Sequence, residues 1–276
     1  RGELVEIGGG FRVPDVMEES GARLVEVGTT NRTRLDDYRT AHQVHQAALM
    51  MKVHPSNYRI RGFTEETSVK ALATLGVPVV ADLGSGLIDD ACSWLQEGRP
   101  SWLGEEPAVK QTLESGADLV TFSCDKLFGG PQAGVIAGRS DLVEACANHP
   151  LMRAFRPGAL VLNALQQTAL AYLRRDGDSI PFWRMAQTPV TELLARADAM
   201  SIGRTAHTMA MTGGGSLPGE QIPSAGIEID GDISRRLRDA NTPVIARVHD
   251  QTTVIDLRTV DPNDDALVVA AVASSI

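Results

Sequence analysis

Short apolar runs alternate with helical stretches of mixed polarity along the first half of the chain. The runs are rich in β-branched residues, a composition typical of strands. The predicted strands cover residues 3–7, 23–27, 48–53, 77–83 and 118–123, and the predicted helices cover 14–21, 36–47, 64–76 and 106–116. Strands that are joined by crossover helices form a parallel sheet, and such sheets bind ligands beyond the carboxyl ends of their strands. The pattern therefore predicts an α/β fold with its site in the loops after the strands.

The pattern changes after residue 138, where helical stretches follow one another. A smaller α+β unit comes next. Its predicted elements are a strand at 224–229, a helix at 233–240, strands at 243–249 and 253–258, and a final helix from about residue 262. The boundary is expected inside or just after the helix at 158–175, which gives a large domain at 1–172 and a small C-terminal domain at 173–276.

Composition indicates a soluble globular protein that lies in the cytoplasm. Of the 276 residues, 43% are hydrophobic, but no apolar run approaches the roughly 20 residues that cross a bilayer. The net charge of −9 argues against a broad surface for binding nucleic acid. The three cysteines show no C-x-x-C spacing, so neither a zinc site nor a disulfide framework is suggested. The chain starts without methionine on a strand-like segment, and we expect it to be the downstream part of a longer protein.

Polar residues follow three of the predicted strands at the edge where a ligand would lie. Those residues are His54, Ser56 and Asn57 after the third strand, Asp82 after the fourth, and Ser123, Asp125 and Lys126 after the fifth. A lysine and an aspartate at neighbouring strand ends suit pyridoxal phosphate. The lysine can form the Schiff base, and the aspartate can hold the pyridine nitrogen protonated. A serine three residues before the lysine can reach the cofactor phosphate.

Each of these residues also has a structural interpretation. Lys126 could be a solvated loop lysine, and Asp82 could form a turn or cap a helix in the string DLGSG. The segment GGGSLPG, residues 213–219, lacks the lysine of a phosphate loop and is interpreted as a flexible connection. The string SCDK resembles the S-x-x-K signature of penicillin-recognising hydrolases, but the K-T-G strand that those enzymes need is missing from the sequence.

Taken in order, the motif strings resemble bacterial selenocysteine synthase, the L-seryl-tRNA(Sec) selenium transferase family. The strings are ELVEIGGGFRVPDVM, VGTTNRT, MKVHPSNY, GFTEE, VPVVADLGSG, FSCDKLFGGPQAG, GGGSLPGEQIPSA and PVIARVHDQTTVIDLR. The resemblance extends across essentially the whole chain. It implies a fold-type I pyridoxal-phosphate enzyme in which Lys126 is the Schiff-base lysine and Asp82 the pyridine partner.

The resemblance also gives meaning to two arginines and one cysteine. Arg153 and Arg156 stand three residues apart, on one face if helical, and match family arginines that hold the phosphate end of selenophosphate. Without the resemblance, a surface arginine pair would be the simpler interpretation. Cys124 stands where the family usually has glycine. Either the turn tolerates a side chain there, or the local geometry differs.

The implied reaction converts seryl-tRNA(Sec) to selenocysteinyl-tRNA(Sec) through an aminoacrylyl-tRNA intermediate, with selenophosphate as the selenium donor. The resemblance further implies a homo-oligomer, a ring built from dimers, whose tRNA-recognising domain precedes the residues present here. Two alternatives stay open at this point. One is another fold-type I lyase that acts on a free amino acid or amino sugar, and the other is an inactive truncated homologue.

Overall fold

The structure is a computed structural model that describes residues 1–276, with the side chains of residues 7 and 8 excepted. The described residues divide into two compact units. The first comprises Arg1–Ile180 with Gly213–Gly219, and the second comprises Pro181–Thr212 with Glu220–Ile276. Within the first unit, the Gly177 amide donates to the carbonyl of Trp94 at 3.0 Å. The domain boundary that the sequence places after residue 172 stays a prediction.

The first unit holds a mixed sheet with helices on the connections. Its strands are β1 Glu6–Gly8, β2 Phe11–Arg12, β3 Met50–Val53, β4 Val79–Gly84, β5 Leu119–Ser123 and β6 Gly134–Gly138. Its helices are α1 Val13–Glu19, α2 Leu35–His45, α3 Val69–Ala73, α4 Val109–Glu114, α5 Ser140–Ala147, α6 Leu151–Ala154 and α7 Ala159–Arg174. Short 3-10 turns lie at Ser101–Leu103 and Gly177–Ser179.

The main sheet of this unit has the strand order β3-β4-β5-β6. Strands β3, β4 and β5 run parallel, whereas β6 returns antiparallel to β5. Parallel strands end at one edge, so the loops after β3, β4 and β5 emerge on the same side. The structure thus confirms the predicted α/β class and its mainly parallel sheet.

Alternation along β4 and β5 separates a buried face of the sheet from a polar one. Ala81, Leu83, Val120 and Phe122 are buried and belong to one apolar cluster. The intervening positions, including Asp82, Thr121 and Ser123, are only half-buried. Because successive side chains point to opposite faces of a strand, these polar residues share the face away from that cluster.

The second unit is an antiparallel sheet covered by helices. Its elements are α8 Pro181–Gln187, α9 Val190–Met200, β7 Arg204–Ala210, β8 Ile222–Asp230, α10 Ser234–Arg238, β9 Arg247–His249, β10 Thr252–Asp256 and α11 Asp265–Ala273. The strand order is β7-β8-β10-β9. Its core includes Leu193, Ile227, Leu237, Ile255 and Leu257, all at most 1% exposed.

Two sequence expectations about elements differ from the structure. Residues 23–27, predicted as a strand, join no sheet among the described residues, and the carbonyl of Val27 accepts a hydrogen bond from the terminal amine of Arg1 at 2.7 Å instead. Strand β7 was not predicted. Its sequence, RTAHTMA, has few β-branched residues, and its antiparallel pairing with β8 holds it in the sheet.

Candidate active site

The carboxyl ends of β4 and β5 bring several of the predicted site residues to one edge. Asp82 lies directly opposite Thr121 in the register of the two strands. The hydroxyl of Thr121 donates to Asp82 Oδ1 at 2.9 Å. On the other side of β4, the backbone amide of His54 donates to the carbonyl of Asp82 at 2.8 Å. The backbone and the carboxylate of Asp82 are therefore both fixed by neighbouring strands.

Only one oxygen of the Asp82 carboxylate is used within the protein. Among the residues that the structure describes, Asp82 Oδ2 accepts no hydrogen bond and the side chain forms no ion pair. A half-buried carboxylate without a cation or a full set of donors is unusual, because removing its hydration costs free energy that nothing repays. Asp82 can therefore offer one oxygen to a positively charged or N–H-bearing ligand.

Lys126 follows β5 in a short loop that is tied to the loop after β4. The amide of Leu127 donates to the carbonyl of Ser85 at 2.8 Å, and the amide of Gly129 donates to the carbonyl of Lys126 at 2.9 Å. The half-buried lysine side chain makes no hydrogen bond or ion pair with any residue that the structure describes. The backbone of Lys126 is thus fixed, while its amine is left available to a ligand.

Two glycines flank the amine of Lys126. A Cβ atom added to Gly84 would lie 3.7 Å from Lys126 Nζ, and one added to Gly215 would lie 3.1 Å from both Cε and Nζ. Gly84 and Gly215 have φ of +70° and +83°, conformations that side chains rarely adopt. The amine consequently lies beside two stretches of backbone that carry no side chain, and Gly84 is two residues beyond Asp82 on the same strand.

Ser123 and the two arginines are placed differently from one another. Ser123 ends β5 on the face that carries Thr121 and Asp82, and its hydroxyl contacts no described partner. Arg153 and Arg156 are exposed and form no ion pair within the described chain. Helix α6 ends at Ala154, so the two arginines do not share a helical face. The roles predicted for Ser123, Arg153 and Arg156 stay predictions.

Cys124 belongs to the apolar core beside β5. Its side chain is fully buried in the apolar cluster that includes Phe122 and Phe128. The residue has no positive φ, so the turn accepts a side chain without backbone strain. Burial raises the pKa of the Cys124 thiol to about 11, and the negative charge of Asp125 acts in the same direction. Of the two possibilities left by the sequence, the turn tolerates the side chain.

The residues after β3 have separate partners. His54 Nε2 lies 3.4 Å from Glu106 Oε2, a carboxylate that is 5% exposed. The side-chain Nδ2 of Asn57 donates to the carbonyl of Glu6 at 3.0 Å. Ser56 Oγ lies 3.1 Å from the position of a Cβ on Gly84, so Ser56 is the residue of this loop that borders the surroundings of Lys126.

Sequence reasoning missed two parts of the site. Thr121 carried a usable signal, because it lies two residues before Ser123 and so faces the same side of β5. The segment Gly213–Gly219 was interpreted as a flexible connection, but the structure places it with the first unit and against Lys126. Its distance along the chain from Lys126 left no local signal of that contact.

A separate cleft of about 550 Å³ in the same unit contains none of these residues. It is lined by residues such as Asp90, Arg99, Glu105 and Gln111. Arg99 Nη1 pairs with Asp90 at 2.6 Å, and Arg99 Nη2 donates to the carbonyls of Gly104 and Glu106. The charged groups of this cleft are therefore largely paired within the protein, in contrast to the amine of Lys126.

The described part of the chain contains no group of three or more histidine, cysteine or acidic side chains arranged to hold a metal ion. None of its helices combines the length and apolar character needed to cross a membrane.

Comparison with known sequences gives a consistent result over nearly the whole chain. The model of the family described as L-seryl-tRNA selenium transferase matches residues 1–261. An L-seryl-tRNA(Sec) selenium transferase from Alkaliphilus oremlandii is 41% identical over 293 residues, covering 98% of this chain and 61% of the relative. One from Moorella thermoacetica is 42% identical over 299 residues, covering 100% of this chain and 62% of the relative. The chain thus spans about three-fifths of the length of these curated relatives.

Among solved structures, a D-glucosaminate-6-phosphate ammonia-lyase resembles this chain with a TM-score of 0.62 at 21% identity. The likeness covers 98% of this chain and 68% of that one. At this identity it bears on the fold alone, and it confirms the fold-type I architecture predicted from the sequence.

Proposed function

Because the chain belongs to the L-seryl-tRNA selenium transferase family, we propose that it carries the centre that converts seryl-tRNA(Sec) to selenocysteinyl-tRNA(Sec). In this proposal Lys126 binds pyridoxal 5′-phosphate and selenophosphate supplies the selenium. The observation that carries it is the amine of Lys126, which has no partner among the described residues and lies beside Gly84, two residues after Asp82.

The residues present fit this cofactor in three respects. The Lys126 amine is free to form a Schiff base. Asp82 keeps one carboxylate oxygen for a protonated ring nitrogen, while Thr121 holds the other. Gly84 and Gly215 leave bare backbone beside the amine, where a side chain would fill the space that a planar ring needs. When bound, pyridoxal phosphate supplies an electron sink for the pair left behind when a proton leaves Cα.

Lys126 has two tasks in the proposed reaction. At rest its amine holds the cofactor. During turnover the same amine takes the proton from Cα of the seryl group, and the β-hydroxyl departs with its bonding electrons and takes up a proton to leave as water. The selenium of selenophosphate then bonds to Cβ through a lone pair, and a water molecule cleaves the Se–P bond, so that phosphate leaves. Lys126 finally returns the proton to Cα. A single amine can do both because proton transfer needs only a positioned base within hydrogen-bond reach of the carbon.

The remaining predicted residues hold the anionic parts of the ligands. We assign Ser123 to the cofactor phosphate, since its hydroxyl is uncommitted on the face of β5 that carries Thr121. We assign Arg153 and Arg156 to the phosphate end of selenophosphate. Their exposed guanidinium groups are permanently charged and form no ion pair with described residues, so they are available for an oxyanion.

The proposal concerns the whole protein. This chain spans about three-fifths of the length of the relatives that it matches. Seryl-tRNA(Sec) is then a macromolecular partner, and the chain acts in the cytoplasm as part of a homo-oligomer built from dimers. We also propose that the large domain carries the cofactor and that the small C-terminal domain accompanies it.

The first experiment asks which lysine captures the cofactor. Incubation with pyridoxal phosphate, borohydride reduction and peptide mapping should place the label on Lys126. Lys126→Ala should lose it, whereas Lys110→Ala should keep it, because Lys110 is occupied by Asp89 at 3.1 Å. Label on Lys52, Lys70 or Lys110 in the unaltered chain would contradict the assignment.

The second experiment asks what the loaded site acts on. Selenium transfer to seryl-tRNA(Sec) is measured beside turnover of free amino acids and amino sugars, with the chain alone and extended upstream to its natural start. We expect the extended protein to be the active form. Arg153→Ala or Arg156→Ala should keep the Lys126 label and lose use of selenophosphate. Turnover of a free amino acid without selenium transfer would favour a lyase and overturn the proposal.

A further inference from the structure

The segment Gly213–Gly219 lies between two strands of the second unit yet belongs to the first. Strand β7 ends at Ala210 and β8 begins at Ile222, and the residues between them include the string GGGSLPG. Contacts of this string place it with the residues around Lys126. A connection that only joined β7 to β8 would be expected to make its contacts within the second unit.

The glycines of this segment are not equivalent. A Cβ added to Gly215 would lie 3.1 Å from Cε and Nζ of Lys126 and 3.9 Å from its Cδ. A Cβ added to Gly213 or Gly214 would meet nothing within 4 Å. Gly213 nevertheless shares the backbone requirement of Gly215, with φ of +97° against +83°. Of these three glycines, Gly215 alone faces the lysine side chain.

We propose that Gly215 is a positioning residue that confines the amine of Lys126 by the close approach of its backbone. The proposal rests on the assigned role of Lys126 and adds a residue and a segment to it. The Lys126 side chain ends beside Gly215 and Gly84, two residues whose lack of a Cβ atom lets the backbone approach it closely. A methyl group at position 215 would force Lys126 or the segment to shift by a few tenths of an ångström. The amine would then leave the place that cofactor capture requires.

The test uses three alanine variants that separate contact from backbone strain. Gly215→Ala adds both a contact with Lys126 and an unfavourable φ. Gly213→Ala adds the unfavourable φ alone, and Gly214→Ala adds neither. The first readout is the rate at which pyridoxal phosphate is captured on Lys126, followed by its Schiff-base absorbance and by borohydride trapping. We expect Gly215→Ala to slow capture roughly tenfold, since small displacements of a reacting group have large effects on rate. Gly213→Ala and Gly214→Ala should stay within about twofold of the unaltered chain.

The second readout does not depend on the cofactor. Acylation of each lysine by a succinimidyl ester is followed by peptide mapping, and the rate at Lys126 is divided by the rate at Lys110. Gly215→Ala should lower this ratio, while Gly213→Ala should not. Equal effects of the two variants, or none, would overturn the proposal. If the unaltered chain captures no pyridoxal phosphate, the proposed function fails, but the acylation ratio still decides the position of Gly215.

A final pair of variants distinguishes a contact from general misfolding. If the new methyl group harms the protein by meeting Lys126, the loss of stability caused by Gly215→Ala should shrink when Lys126→Ala is also present. Thermal unfolding of the single and double variants measures this coupling. An undiminished loss in the double variant would assign the effect to the backbone of the segment and contradict the contact.

Discussion

Two strand aspartates, Asp256 in the second unit and Asp82 in the first, have opposite hydrogen-bonding states. Both oxygens of Asp256 are occupied. Thr208 and Ser224 each donate a hydroxyl at 2.7 Å, Arg247 Nη2 donates at 3.1 Å, and the backbone amide of Arg258 donates at 3.0 Å. The Asp82 carboxylate receives the hydroxyl of Thr121 alone. Both aspartates lie in strands, but the carboxylate of Asp256 accepts hydrogen bonds on both oxygens and that of Asp82 on one oxygen only.

The difference separates groups that hold the fold together from groups that await a ligand. A buried polar group that is satisfied within its chain contributes stability, and removing its partners leaves costly unpaired atoms. A polar group with an unused hydrogen-bonding position lacks that stability, and the position is available to a ligand. By this measure Asp256 is structural, whereas Asp82 and Lys126 keep the open hydrogen-bonding positions that the proposed binding site requires.

We expect the largest effect on stability at Arg258, whose guanidinium donates to four backbone carbonyls within the second unit. Arg258 is 5% exposed, and its Nη1 donates to the carbonyls of Met185, Ala186 and Thr188 while Nη2 donates to that of Pro223. Burial lowers the pKa of its guanidinium, which stays charged because that pKa starts so high. Arg258→Met should destabilise the chain by about 3 kcal/mol, since several carbonyls lose their donors.

Urea unfolding measures that loss, and Arg235→Met is its control. The side chain of Arg235 is 94% exposed and its ion pair with Asp239 is 3.9 Å long, so its removal should change stability by less than about 0.5 kcal/mol. Equal effects of the two substitutions would show that the hydrogen bonds from Nη1 and Nη2 of Arg258 contribute nothing to stability.

A crossed pair of aspartate substitutions sharpens the comparison directly. Asp82→Asn should weaken cofactor binding by about 2 kcal/mol, or roughly 30-fold, because a neutral amide cannot stabilise a protonated ring nitrogen in the same way. It should hardly change the unfolding midpoint. Asp256→Asn should instead lower the unfolding midpoint and leave cofactor affinity unchanged, because its new amide group faces the hydrogen-bond donors of Thr208, Ser224 and Arg247. Fluorescence titration with pyridoxal phosphate measures the affinity of each variant, and urea unfolding measures its stability. If each variant lost both affinity and stability, the two aspartates could not be divided into a ligand-binding one and a structural one.

The two threonines that donate to these aspartates should show the same contrast on a smaller scale. Thr121→Val keeps the shape of the side chain but removes the hydrogen bond to Asp82. We expect about 1 kcal/mol of lost cofactor affinity, roughly fivefold, because the carboxylate becomes free to rotate. Thr208→Val should instead lower stability and leave the affinity unchanged. A Thr121→Val chain with unaltered affinity would mean that Asp82 needs no such support.

The smallest effect concerns the buried thiol of Cys124. Burial raises its pKa from the ordinary value of 9.0 to about 11. Because the folded-state pKa is raised, the stability from this group is fully present below about pH 9 and is lost as the pH rises through 11. At pH 8, iodoacetamide should label the half-exposed Cys146 first, with Cys124 and the equally buried Cys92 protected. Early labelling of Cys124 would place its side chain on the ligand side of the sheet.

The sequence was sufficient for those parts of the fold that periodicity encodes locally. Strands β3, β4 and β5 lie within the predicted runs because each is a short β-branched segment between helices. Residues 23–27 have the same character but find no strand to pair with, and apolar alternation cannot reveal whether a partner exists. Strand β7 shows the converse, because its partner β8 stabilises a sequence of weak intrinsic preference.

The candidate site was predictable where chemistry and strand ends coincide. Lys126, Asp82 and Ser123 follow from that rule, and Thr121 could have been added from the two-residue repeat of a strand. The position of Gly215 could not be found this way. Its contact with Lys126 joins segments that are far apart in the chain, and a glycine offers no side chain whose chemistry would point to its neighbour.

The two glycines beside Lys126, Gly84 and Gly215, also limit which mutations the protein can accept. Every amino acid that a single nucleotide change can substitute for glycine carries a Cβ atom. At Gly84 and Gly215 such an atom would meet a neighbour at 3.1 Å and would sit on a backbone with positive φ. Any first mutation of either glycine therefore strains the backbone and crowds a neighbouring side chain, so we expect few accepted substitutions at these two positions.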